Sequence, residues 1–81
     1  MVEARKIREK LDSELQDVAF VYEGKKAYIR PLGSKKYDSW YGTDENEVKK
    51  TYVGLEKLMT DKLYNGKSLE DIADKITPKY Y

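Results

Sequence analysis

The chain has 81 residues, 38% of them charged and 40% hydrophobic, with 16 basic and 15 acidic side chains and a formal net charge of +1. It contains neither cysteine nor histidine, which excludes disulfides, zinc sites built from thiolates or imidazoles, and catalytic triads that use a histidine base. The near-neutral charge also argues against strong nonspecific binding to nucleic acid, which is typical of markedly basic domains.

The length predicts one small domain, near the lower limit for folding without a covalent or metal cross-link. No stretch approaches the roughly 20 consecutive apolar residues of a membrane-spanning helix. The first residues, MVEARK, lack the apolar core of a signal peptide. Together with the absence of cysteine, these features predict a cytoplasmic protein without a membrane partner. The abundance of lysine, glutamate and tyrosine is typical of small open reading frames of low-GC bacteria and their phages.

An amphipathic helix is predicted over residues 3–16. Apolar side chains recur there at intervals of three and four residues and form one stripe, which consists of Ala4, Ile7, Leu11 and Leu15. Opposite charges four residues apart flank the stripe, as at Lys10 and Glu14, but each such pair adds only a few tenths of a kcal/mol. The apolar stripe is therefore the main reason to expect a helix.

A β-hairpin follows the helix. Residues 18–22 and 25–30 are rich in branched and aromatic side chains, and Glu23-Gly24 between them is suited to a two-residue turn. With that turn, alternation places one apolar set on the face that packs against the helices: Val18, Phe20, Ala27 and Ile29. The opposite face then carries Ala19, Val21, Lys26, Tyr28 and Arg30.

Residues 35–41 predict a third strand after a turn at Leu32-Gly33-Ser34. Tyr37, Ser39 and Tyr41 share one face of this strand, whereas Lys36, Asp38 and Trp40 share the other. Two arrangements remain open for the tryptophan. Either Trp40 is partly exposed, or a bulge near Ser39 turns it inward.

The remaining residues predict two helices. The first begins at Thr43 or Asp44 and carries a stripe of Val48, Tyr52, Leu55, Met59 and Leu63, with Asn65-Gly66 at its C-terminal end. Ser68 and Asp71 have the spacing of a capping box and begin a short helix that Thr77-Pro78 ends. We therefore expect residues 1–78 to form a single α+β domain of order α-β-β-β-α-α. Helices would pack on one face of a three-stranded antiparallel sheet, and residues 79–81 would be a frayed tail.

The sequence offers no catalytic apparatus. No phosphate-binding glycine loop is present, because the glycines are scattered singly along the chain. The two acidic clusters, Asp44-Glu45-Glu47 and Glu70-Asp71-Asp74, lie at predicted helix starts, where the helix dipole favours negative charge. We therefore expect no enzymatic activity, no cofactor and no metal site.

The excess of positive over negative charge lies in the predicted strands. Residues 22–42 contain five basic and two acidic side chains, together with five of the nine tyrosine and tryptophan residues. Cations interleaved with aromatic rings are typical of interaction surfaces. The candidate partner-binding residues are Lys26, Tyr28, Arg30, Lys35, Lys36, Tyr37, Trp40 and Tyr41.

Three interpretations of this surface remain. It is a solvated sheet face whose lysines protect edge strands, an interface for a protein partner, or a surface for nucleic acid. The leading hypothesis is a small non-enzymatic intracellular interaction module, an adaptor or inhibitor, that binds a protein. The alternative is a weak nucleic-acid-binding domain that uses the same face. The sequence does not determine the oligomeric state.

Overall fold

The computed structural model of the chain describes residues 2–43 and 45–81, and five antiparallel strands form one sheet there. The strands are β1 (Val18–Tyr22), β2 (Lys25–Gly33), β3 (Lys36–Gly42), β4 (Val48–Val53) and β5 (Lys79–Tyr80). Their spatial order is β4-β3-β2-β1-β5. The helices are α1 (Val2–Asp12), α2 (Leu55–Thr60) and α3 (Leu69–Ile72), and a 3₁₀ turn at Ala73–Lys75 follows α3. The α+β class is therefore confirmed, whereas the expected three-stranded sheet is wrong in its strand number.

The hairpin of β1 and β2 has the predicted register. Phe20 lies opposite Ala27, and Tyr22 lies opposite Lys25 across the Glu23-Gly24 turn. The apolar set Val18, Phe20, Ala27 and Ile29 is buried. The alternation of apolar and polar residues thus predicted correctly both strands and the face that packs against the helices.

Strand β3 has Tyr37, Ser39 and Tyr41 on the buried face, and Trp40 on the other face, where it is half-buried. This is the first of the two arrangements considered for the tryptophan, without an inward bulge at Ser39. The ladder of β2 and β3 is irregular only between Pro31 and Gly33. There the chain enters a tight turn in which Ser34 and Lys35 both have positive φ values, of 53° and 63°.

The predicted long helix of residues 43–63 is wrong, because β4 and α2 occupy most of that range. Val48 and Tyr52 are four residues apart, and this spacing suits one side of a helix and one face of a strand equally well. Branched and aromatic residues favour the strand over residues 48–53. Gly54, with φ of 97°, then separates β4 from α2. The expected cap at Asp44 lies outside the described residues.

The C-terminal residues pair with the sheet instead of fraying. Lys79 and Tyr80 lie opposite Ala19 and Val18 in an antiparallel ladder. Two backbone hydrogen bonds join Asp17 and Tyr81, with N–O distances of 3.0 and 2.9 Å. β5 therefore satisfies part of the edge of β1, which would otherwise expose its backbone polar groups.

One core lies between the helices and the sheet. Leu11, Phe20, Ile29 and Met59, which the sequence places on apolar faces, are buried in this core together with Ile72. Leu55 packs against them half-buried. Arg8 of α1 forms ion pairs with Glu56 of α2 and with Glu70 of α3, the latter at 3.1 Å, and so links the three helices. α1 ends at Asp12, before the predicted residue 16, and Leu15 is exposed rather than part of the stripe.

The helix cap and the turn of the C-terminal half are partly as predicted. The capping box at the start of α3 is confirmed, because the Asp71 amide donates to Ser68 Oγ at 3.1 Å and the Ser68 amide donates to Asp71 Oδ2 at 3.2 Å. Gly66 has the expected positive φ, of 81°. It lies in a turn closed by the pairing of Tyr64 with Lys67, rather than at the end of a helix.

The buried phenol of Tyr64 makes stability sensitive to alkaline pH. Its hydroxyl lies 3.2 Å from Ser39 Oγ, and burial raises the pKa of Tyr64 from 10 to about 12. The unfolded chain ionises this phenol first, so its contribution to stability is complete below pH 10 and is lost as the pH rises through 12. Between pH 10 and 12 we expect the wild type to lose about 2 kcal/mol more than Tyr64→Phe does, measured by urea unfolding at each pH. Equal losses in the two proteins would contradict this assignment.

Candidate binding face

One face of the sheet has no helix packed on it in the part of the chain that the structure describes, and it is here called the open face. Its side chains follow from the strand registers and alternation: Ala19, Val21, Lys26, Tyr28, Arg30, Lys36, Asp38, Trp40, Lys49, Thr51, Val53 and Lys79. One row of directly opposed residues crosses all five strands, and consists of Lys79, Ala19, Tyr28, Trp40 and Lys49. Opposed side chains in such a row are close enough to contact one another. Two aromatic rings thus lie at the centre of the sheet, between a small residue and two lysines.

The aromatic pair is packed edge to face. The ring centroids of Tyr28 and Trp40 are 5.9 Å apart, with an interplanar angle of 64°. Arg30 lies over the Tyr28 ring at 5.8 Å from its centroid, and Lys49 lies over the Trp40 ring at 5.4 Å. Both rings are half-buried although they lie on the open face. The pair is therefore held in one orientation by its neighbours on the open face.

Two carboxylates orient these cations. Asp17 accepts a hydrogen bond from the Tyr28 hydroxyl, and its Oδ2 lies 3.6 Å from Arg30 Nε. The hydrogen bond to Asp17 is the main reason that the pKa of Tyr28 is raised. Asp38 accepts a hydrogen bond of 2.7 Å from Thr51 Oγ1 and lies 3.9 Å from Lys49 Nζ. The charges of Arg30 and Lys49 are thus partly balanced within the face.

A hollow of about 610 Å³ lies beside the aromatic pair. Its lining includes Ala19, Val21, Tyr28 and Trp40 from the open face, and residues 75–77 next to β1. The small side chain of Ala19 stands between Tyr28 and Lys79 in the central row, so space remains there. The volume is within the range of about 300–1,000 Å³ that ligand sites occupy.

The structure separates the sequence-predicted site residues into three groups. Lys26, Tyr28, Arg30 and Trp40 lie together on the open face, and Lys36 lies on the same face opposite Val53. Lys35 is in the turn before β3, 4.0 Å from Asp12 Oδ1.

Tyr37 and Tyr41 do not belong to the open face. Their side chains are only 2% and 5% exposed, because they point toward the helices. The Tyr41 hydroxyl donates a hydrogen bond of 3.0 Å to the Tyr22 carbonyl, and burial is the main reason that the pKa values of both phenols are raised. These two tyrosines therefore stabilise the fold and are not available to a partner.

Sequence reasoning missed the contributions of β4 and β5 to the site. Lys49 and Thr51 were assigned to a helix, and Lys79 to a frayed tail. The branched and aromatic residues of 48–53 were the available signal for β4. A strand of two residues, such as β5, leaves no periodic signal in the sequence.

Within residues 2–43 and 45–81, no cluster of acidic side chains has the geometry to hold a metal ion. None of the helices described there has the length and apolar character required to cross a membrane.

No family model matches this chain, and no curated protein or solved structure matches it either.

Proposed function

We propose that the chain is a non-enzymatic interaction module, an adaptor or inhibitor, that binds a protein partner through the open face and acts in the cytoplasm. The observation that carries this proposal is the half-buried Tyr28–Trp40 pair, surrounded by Lys26, Arg30 and Lys49 on the open face. Tyrosine, tryptophan and arginine are the side chains that most often anchor protein interfaces. A rigid platform of this kind also loses little conformational entropy when it binds.

The arrangement of charge favours protein over nucleic acid. Cations already lie over the Tyr28 and Trp40 rings, which leaves less ring surface for stacking by a base. Asp17 and Asp38 add negative charge that would repel phosphate groups. The whole chain has a net charge of only +1. Weak binding of nucleic acid by the same face is the alternative function.

The proposal predicts that Tyr28→Ala combined with Arg30→Ala abolishes most partner capture without unfolding the domain. Both side chains lie on the open face and contribute nothing to the buried core. The measurement is affinity capture from the native host, with the bound proteins quantified. Lys57→Ala combined with Lys62→Ala is the control, because both are exposed lysines outside the open face. The loss of an anchor residue costs about 2 kcal/mol or more, which corresponds to at least about thirtyfold in affinity.

Circular dichroism and thermal unfolding establish that each variant is folded. Full capture by a folded Tyr28/Arg30 variant would contradict the proposal. Nuclease treatment and a salt titration distinguish the alternative function. Binding that is lost with nuclease, and whose log affinity falls linearly with log salt, identifies nucleic acid as the partner.

A further inference from the structure

The hollow beside the aromatic pair combines an apolar lining with a positively charged border. Ala19, Val21 and Ile76 contribute apolar surface, and Tyr28 and Trp40 contribute rings. Lys26, Lys75 and Lys79 line the same hollow, against one carboxylate, that of Glu47. Within the described part of the chain, none of these three lysines forms a salt bridge, unlike Arg30 and Lys49. The positive charge here is therefore available to an external group.

The sheet edge next to the hollow is also incomplete. β5 pairs with β1 only at Val18 and Ala19, whereas β1 continues to Tyr22. The hollow lies beside Phe20 and Val21, which extend past the start of β5 at Lys79, and residues 75–77 of the preceding chain also line it.

We propose that the hollow receives a large apolar side chain from an acidic segment of the protein partner. The anchor side chain lies against Ala19 and the Tyr28–Trp40 pair, and carboxylates on either side of it bind Lys26 and Lys79. An anchor buried in a pocket and surrounded by complementary charge is the usual arrangement of an interface hot spot. This inference rests on the proposed function and specifies the chemistry of the partner.

The experiment selects binders from a random twelve-residue peptide library displayed on phage, with the folded protein as bait. We expect the enriched peptides to be acidic and to contain a leucine, phenylalanine or tryptophan flanked by aspartate or glutamate. Trp40 is the only tryptophan of the chain and lines the hollow, so its fluorescence reports occupancy directly. For this reason the titrated peptide carries leucine or phenylalanine as its anchor.

Two variants test the two parts of the inference. Ala19→Leu fills the hollow, and Lys26→Glu combined with Lys79→Glu reverses the charge of its border. Each is expected to weaken binding of the selected peptide about tenfold or more. The matched controls are Thr60→Leu on α2, and Lys57→Glu combined with Lys62→Glu, which change the same properties away from the hollow. These controls are expected to leave the affinity within about twofold of that of the wild type.

Several outcomes overturn the inference. They are the enrichment of basic or anchor-free peptides, the absence of any enriched peptide, and unchanged binding to folded Ala19→Leu. Capture from the native host is then repeated with Ala19→Leu. It shows whether only the inference about the hollow is wrong or the proposed function is wrong as well. If capture survives Ala19→Leu but not the Tyr28/Arg30 double variant, the partner binds the open face without using the hollow. If it survives both, both proposals are wrong.

Discussion

Phe20→Ala is expected to destabilise the domain by about 3–5 kcal/mol. The Phe20 side chain is 5% exposed and packs against Tyr64, with ring centroids 5.5 Å apart. Its removal leaves a cavity between β1 and the helices, in addition to the lost burial of the ring. If the total stability is about 5 kcal/mol, as is common for a small domain, the variant retains about 0–2 kcal/mol, and between a few per cent and about half of its molecules are unfolded at room temperature. Urea unfolding followed by circular dichroism measures the change.

The neighbouring residue on the strand is the control. Val21 is 59% exposed, because alternation places it on the open face. Val21→Ala should therefore cost less than about 1 kcal/mol. Similar destabilisation by the two substitutions would contradict the orientation of β1.

Gly42→Ala is expected to destabilise the domain by roughly 2–5 kcal/mol. Gly42 has φ of 141°, a conformation that residues with a side chain rarely adopt. A β-carbon at this position would also collide with the Asn46 carbonyl oxygen and lie 3.0 Å from the Glu47 α-carbon. Both contacts are with backbone atoms, so the chain between β3 and β4 would have to move. Thermal unfolding of the variant measures the cost.

Gly66→Ala provides the matched comparison. Gly66 has φ of 81°, but no atom lies within 4 Å of the β-carbon that alanine would add. Only the conformational cost of about 1–2 kcal/mol therefore applies. If Gly42→Ala were no more destabilising than Gly66→Ala, the close approach of residues 46–47 to Gly42 would be wrong.

The hairpin was predictable from the sequence, whereas the strand after it was not. In β1 and β2, apolar residues alternate with a period of two around a recognisable turn, and only a strand satisfies that pattern. In residues 48–63, Val48 and Tyr52 fit helical and strand periods alike. The intact stripe through Leu55 and Met59 then favoured one long helix. Residues 48–53 form a strand because they pair with β3. Local periodicity does not reveal such a tertiary contact.

The candidate site was predictable to the same extent as its strands. Lys26, Tyr28 and Arg30 follow from the hairpin register, and Trp40 follows from alternation in β3. Tyr37 and Tyr41 were included for their residue type, although they share a face with Ser39, and this face is the buried one. Lys49 and Lys79 join the site only through β4 and β5. The central row across the sheet therefore became visible only with the complete strand order.

Hydroxyl-radical footprinting of the protein with and without its captured partner tests whether the open face is the binding surface, because it reports the exposure of individual side chains. We expect the oxidation of Trp40 and Tyr28 to fall strongly in the complex. Tyr81, which is 66% exposed beyond the end of β5, serves as the internal reference in the free protein. Unchanged oxidation of Trp40 and Tyr28, with protection confined to exposed residues of α1 and α2, would contradict the assignment of the open face as the binding surface.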